Sequence, residues 1–189
     1  MRPRLTTLIA LAALAVCAAV LSACGGDTTD NRNASNEGVY VDIGHLKYQV
    51  QLSRELNPYD NEDASYFAGM APADRVLSPS QAWFGVFVLA FNKHDQSYPA
   101  SNDYYITDTQ GLVYRPTPVP GENPFAYHAA AVAPHDQLPT KGSPAYDGPT
   151  GGLVLLFKVP LTSFDNRPLV LHIGDPADAK IRAIVELDV

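Results

Sequence analysis

The sequence predicts an all-β chain folded as an antiparallel β-sandwich of seven or eight strands with one short helix. Three observations predict it. Apolar residues alternate with polar ones at period two along most of the chain after residue 38. One run, Trp83–Phe91, is apolar on both alternations, as in a strand covered on both faces. Gly and Pro, 13 and 16 among 189 residues, fall between these segments at turn positions. With 46% hydrophobic and 17% charged residues the composition is globular rather than disordered. A net charge of −7 argues against a nucleic-acid partner, which would call for a basic patch.

The N-terminus stands apart from this pattern. Arg2 and Arg4 precede an unbroken apolar run of 14 residues, Leu8–Leu21. As a helix that run would measure about 21 Å, short of a hydrocarbon core of about 30 Å. It reads as the apolar centre of a cleaved signal peptide. The run ends in Leu21-Ser22-Ala23-Cys24, which resembles the lipobox of bacterial lipoproteins. That resemblance implies diacylglyceryl transfer to Cys24, cleavage after Ala23, and a chain anchored in the cell membrane and facing outside the cytoplasm. Two acyl chains give stable anchoring where one gives only marginal binding. Cys17 leaves with the signal peptide, so no thiol remains for a disulfide, a zinc site or a nucleophile. Losing Arg2 and Arg4 takes the formal charge from −7 to −9, which anionic headgroups repel. The anchor, rather than the domain surface, is then what holds the protein at the membrane.

The expected organisation is a signal peptide over residues 1–23, a flexible tether over 24–37 and a folded domain over 38–189. The tether is Gly, Asp, Thr, Asn, Ser and Ala with little apolar content, and its reach is about 20 Å root-mean-square. Asn33-Ala34-Ser35 matches a glycosylation sequon, a pattern too short to carry weight.

Within the domain, Val39, Val41 and Ile43, then Leu46, Tyr48, Val50 and Leu52, alternate with polar residues. They form one half-buried strand or two strands broken at Gly44. Asn57-Pro58-Tyr59-Asp60 is turn chemistry, and Asp60 is placed to cap a short helix running to about Gly69. Trp83–Phe91 is the central strand. Tyr104–Thr107 and Leu112–Tyr114 flank Asp108-Thr109-Gln110-Gly111, a hairpin loop. Residues 115–150 form a long irregular excursion rich in Pro and Gly, the kind of segment in which function tends to sit. Leu153–Val159, Leu169–Ile173 and Ile181–Val189 supply three more strands, with Ile184 the one apolar residue on the outer phase of the last.

Together these residues carry a resemblance. A boxed cysteine and polar tether precede Tyr48-Gln49-Val50. There follow the Phe84–Asn92 strand, Tyr105-Ile106-Thr107-Asp108 with Gly111, and Gly151-Gly152 leading into Leu153–Pro160. The order resembles the telokin-like, immunoglobulin-fold domain of unknown function found in bacterial lipoproteins, over about residues 38–189. The resemblance implies an immunoglobulin-like sandwich at the cell surface and implies no reaction. The excursion at 115–150 is longer than a minimal member needs.

Several constellations are candidates for chemistry. His94-Asp95 and His135-Asp136 each pair a base with a carboxylate, but neighbours in an extended chain point to opposite faces, and both pairs sit in turn-like sequence. They read as exposed loop residues. His128 and His135 are seven apart with Pro134 between, a poor zinc spacing. His172 lies on the outward phase of its strand. Asp60, Asn61, Glu62 and Asp63 lack the glycine and terminal glutamate of a calcium loop. There is no Gly-x-Ser-x-Gly elbow, phosphate loop or dinucleotide fingerprint. No cofactor and no metal site is expected. The ten tyrosines are the most suggestive feature. Tyr59, Tyr98, Tyr127 and Tyr146 fall in loops, where rigid amphipathic rings make binding surfaces or close over a core edge.

The expectation is a lipid-anchored binding or interaction module whose partner is an envelope protein or a small ligand. The alternatives are an envelope hydrolase drawing His and Asp from the loops, marked by His94, His135 and a Ser around one pocket, and a metal-ion carrier.

Overall fold

The computed structural model describes residues 30–189. In chain order the strands are β1 (Asn33–Ala34), β2 (Tyr40–Ile43), β3 (Leu46–Leu56), β4 (Gln81–Asn92), β5 (Tyr98–Pro99), β6 (Tyr104–Thr107) and β7 (Val113–Tyr114). They continue as β8 (Pro116–Thr117), β9 (Ala131–Val132), β10 (Gln137–Leu138), β11 (Leu153–Pro160), β12 (Leu169–Gly174) and β13 (Arg182–Leu187). One sheet has the order β2-β3-β4-β11-β8, with β10 continuing against the end of β4; the facing sheet has the order β1-β13-β12-β6-β7. The all-β sandwich expected from the sequence is therefore present. Its eight expected strands are β2, β3, β4, β6, β7, β11, β12 and β13, with Gly44 at φ +56° turning β2 into β3. The other five strands are two-residue ladders, too short to leave a period in the sequence. One of them departs from the antiparallel expectation, since β1 runs parallel to β13.

The inter-sheet core explains the alternation. Val41, Tyr48, Val50, Phe84, Val86 and Phe157 of one sheet meet Ile106, Leu169, Leu171, Ile173, Ala183 and Val185 of the other, all at or near zero exposure. The doubly apolar β4 has a second partner. Its Trp83 and Phe87 point to the outer face and pack with Leu56, Tyr66, Phe67, Met70, Val154 and Leu156. The segment between β3 and β4 thus roofs the outer face of the sheet, and Phe67 meets Trp83 edge to face at 5.3 Å. Gly85 lies beneath this roof because a Cβ there would stand 2.4 Å from Leu56 Cδ1.

A β-bulge in β3 corrects one sequence expectation. Val50 pairs with Val88 and Leu52 with Phe87, so the register slips at Gln51. The extra residue reverses the phase of everything after it. Tyr48 and Val50 enter the inter-sheet core, whereas Leu52 and Leu56 turn to the outer core and Ser53 is the buried inward residue. The smooth alternation through Leu52 read from the sequence conceals this switch.

Two further expectations change. The signal peptide, Cys24 and residues 24–29 of the tether lie outside the described residues. Of the rest of the tether, Ala34 is buried in the inter-sheet core, Asn31 bonds to Asp42 and Tyr40, and Glu37 accepts hydrogen bonds from the Ser53 and Asp188 amides. The folded unit therefore begins before residue 38, because hydrogen-bonding polar side chains dock a segment that has almost no apolar signal. The helix expected from Asp60 to Gly69 contracts to a 3-10 turn, Ala64–Phe67. Asp60 accepts from the Glu62 amide, and Asp63 turns inward to bind Arg54 and the Asn57 amide. Short one-turn helices also form at Pro72–Arg75 and Pro144–Asp147, each with Pro in its first turn, and a second 3-10 turn at Leu161–Asp165. No helix among the described residues is long and apolar enough to cross a membrane.

Candidate functional site

The two sheets are joined along one side by the chain from β7 to β8. β7 pairs with β6 in one sheet and β8 with β11 in the other, so Arg115 sits at the crossover. Beyond the crossover the sheets part. A parallel bridge from Ala126 to Val154, with the Val154 amide donating to Phe125 and the Tyr127 amide to Val154, lays the excursion along the same edge of β11. Between β6, the crossover, residues 127–129 and β11 lies a cleft of about 500 Å³. Its walls are apolar at Pro116, Pro118, Val119, Val154 and Leu155, with Tyr104 and Tyr127 across from them. The size and the mix of aromatic, apolar and sparse polar groups are those of a small-ligand site.

The polar groups of the cleft are specific. The Tyr104 and Tyr127 rings meet edge to face at 5.0 Å. The Tyr127 hydroxyl donates to the Ser101 carbonyl at 2.8 Å, and the Tyr48 hydroxyl accepts from the Ser101 amide at 2.8 Å. Burial pushes the phenols of Tyr104 and Tyr127 well above their ordinary value and that of Tyr48 to about 12, so all three stay neutral donors at physiological pH. The Tyr104 hydroxyl is closed off from solvent beside Tyr127 and Ser101 and makes no hydrogen bond of ordinary geometry. At the mouth, Asp103 gives one oxygen to Arg182 at 2.6 Å and the other to Arg115 at a longer 3.4 Å. The Arg115 side chain is 67% exposed, and its guanidinium stands 5.6 Å from the Tyr105 ring. His172 also stacks on Tyr105, at 4.3 Å, and shares a hydrogen bond with Thr107. Burial, aided by the Arg182 charge, lowers its pKa, so this ring is neutral near pH 7.

The four tyrosines singled out in the sequence are not brought together. Tyr127 enters the cleft wall. Tyr98, on β5, stacks on His45 at 4.0 Å at the end of the sandwich where β2 turns into β3. Tyr59, 76% exposed, lies in the β3–β4 connection at the opposite end. Tyr146 sits in the Pro144–Asp147 turn, its amide capped by Ser143. They do not form one surface.

The histidines also separate. His94 meets Tyr98 and His45 edge to face, at 5.5 and 5.7 Å. His135, at φ +55° in the left-handed region, places Nε2 2.8 Å from Asp95, not from its neighbour Asp136. Both members of that pair are solvent-exposed, at 63% and 96%. The nearby Ser97 hydroxyl is engaged with the Val132 carbonyl. His128 lies on the cleft rim, apart from them. Among the described residues no group of three or more His, Cys, Asp or Glu is placed to hold a metal ion. The sequence pointed to the excursion that supplies Arg115, Tyr127 and His128. It missed Asp103 and Tyr104, which precede it and meet it only through sheet pairing.

No family model matches the chain, and no curated protein does. Solved structures do. The yjhA protein from Bacillus subtilis is 10% identical with a TM-score of 0.46, covering 82% of this chain and 99% of that one. An uncharacterized beta-sandwich protein from Clostridium difficile 630 is 8% identical with a TM-score of 0.45, covering 86% and 100%. A functionally unknown protein from Listeria monocytogenes EGD-e is 9% identical with a TM-score of 0.49, covering 87% and 89%.

Proposed function

We propose that the chain is a lipoprotein anchored outside the cytoplasm through acylated Cys24, and that its telokin-like, immunoglobulin-like sandwich is a binding module rather than a catalyst. The cleft between the parted sheets carries this reading. It draws four separate segments around one concave surface and leaves at its mouth an exposed guanidinium held only by a 3.4 Å contact to Asp103. The hydrolase alternative finds less support, since the His135–Asp95 pair is open to water and the hydroxyl of Ser97, two residues from Asp95, is committed to a carbonyl. Lipobox residues and a short apolar run support the anchor.

Two measurements test the reading. Fractionation of cells expressing Cys24→Ala should move the protein from the membrane to the soluble or unprocessed fraction; normal processing with full membrane retention would refute acylation there. A benzophenone photo-crosslinker at Ala129 on the cleft rim should capture a reproducible partner or ligand on intact cells that the same probe at Asp165, at the other end of the sandwich, does not. Identical capture from both positions would remove the cleft from the binding surface.

A further inference from the structure

We propose that the cleft selects a small anionic ligand, a flat apolar ring system bearing one carboxylate, with the carboxylate on Arg115 and the ring between Leu155, Pro118 and Tyr127. This rests on the cleft being the binding surface. Two observations lead to it.

The first is the charge balance at the mouth. Asp103 is committed to Arg182 at 2.6 Å and reaches Arg115 only at 3.4 Å. Two guanidinium groups therefore face one carboxylate, leaving one unit of positive charge on a protein whose net charge is −7. The surplus sits on the exposed partner, Arg115. A planar guanidinium with most of its donors free matches a carboxylate in two parallel hydrogen bonds.

The second is the shape and chemistry behind that charge. The walls are Pro, Val, Leu and tyrosine faces, which reward an apolar planar body and offer little to a sugar or a polyol. Arg115 itself lies over Tyr105, so its orientation is supported before any ligand arrives.

The test uses the folded domain with 2-naphthoate and its neutral counterpart 2-naphthalenemethanol, by titration calorimetry at low salt, with amide shifts to place the site. The acid should bind about ten-fold more tightly than the alcohol, the scale of one charge-assisted contact. Arg115→Gln should bring the two to equal affinity while leaving the alcohol unchanged, and Arg115→Lys should keep part of the preference. Shifts should centre on Tyr127, Ala129 and Leu155. Equal affinities in the native protein, a preference that survives Arg115→Gln, shifts centred elsewhere, or no saturable binding of either compound would each overturn the proposal. Capture at Ala129 on cells combined with any of those results would defeat the ligand class and leave the binding module standing.

Discussion

Ser101 is the point at which the backbone polarity of the cleft's inner wall is resolved. It is fully buried, yet its amide, carbonyl and hydroxyl are all used, by Tyr48, Tyr127 and the Gly174 carbonyl. Removing one of these partners leaves a buried group unsatisfied, which is worse than never having had the pair. Tyr127→Phe should therefore cost about 1–2 kcal/mol in chemical denaturation while leaving the fold intact. The same phenols set an alkaline limit. Their folded pKa values lie above the unfolded one, so the stability they contribute is complete below about pH 10. It is lost as pH rises toward the folded values. Melting temperature followed from pH 8 to 12 should fall above about pH 10, and less steeply in Tyr127→Phe.

Two carboxylates act in opposite directions on the acid side. Burial, with a smaller push from Asp188, raises the Glu37 pKa, so the fold favours the protonated form and loses that stabilisation as pH rises through the folded value. Glu37→Gln should consequently flatten the melting-temperature profile between pH 4 and 7, while giving up one of the two hydrogen bonds from the Ser53 and Asp188 amides. At Asp108 burial also opposes the charge, but donors from the Tyr114 hydroxyl and the Leu112 and Gln110 amides outweigh it and hold the carboxyl below its ordinary value. Its contribution is present above the unfolded carboxylate range and fades only as pH falls through the folded pKa. Asp108→Asn should destabilise the β6–β7 hairpin at neutral pH and lose its effect in strong acid, as hydrogen exchange of Gly111 and Leu112 would report.

At the scale of elements, β4 shows how far sequence patterning reaches. Its double apolar face announces a strand covered on both sides, and the sandwich provides one cover while the β3–β4 roof provides the other. What the pattern does not announce is the roof's identity, because Tyr66, Phe67 and Met70 are scattered through a polar, Pro-punctuated stretch with no period. Phe67→Ala should cost about 3–5 kcal/mol, as for a fully buried aromatic, and should unfold the roof before the sandwich. Limited proteolysis would then cut first within residues 57–80. The bulge at Gln51 was illegible for a different reason. Val50 and Leu52 are both apolar, so either phase satisfies the composition, and only pairing with Phe87 and Val88 decides between them. The two-residue ladders of the excursion were equally hidden, since a two-residue strand has no alternation to detect.

For the whole molecule, the layer architecture was legible because one sheet face is buried along almost every strand, and burial writes period two into the chain. The candidate site was not. Asp103, Arg115, Tyr104 and Tyr127 are brought together by the order β13-β12-β6-β7 and the crossover to β8, which no local pattern encodes. Tyrosines selected for their loop positions were dispersed to opposite ends by the same topology. Loop membership reports exposure, whereas convergence depends on which strands become neighbours.

The docked segment at residues 31–34 gives the molecule a mechanical character. β1 enters alongside β13 in the same direction, and Ile184 donates to the Arg32 carbonyl just before the ladder. With the anchor proposed at Cys24, any tug on the domain would reach it along this strand. The load would run parallel to the strand axis, so the hydrogen bonds of the seam would be strained together instead of one after another, and the buried Ala34 would have to leave the core at the same moment. The attachment would behave as a shear clamp, resisting a pull on residues 31–34 until the whole seam gives way.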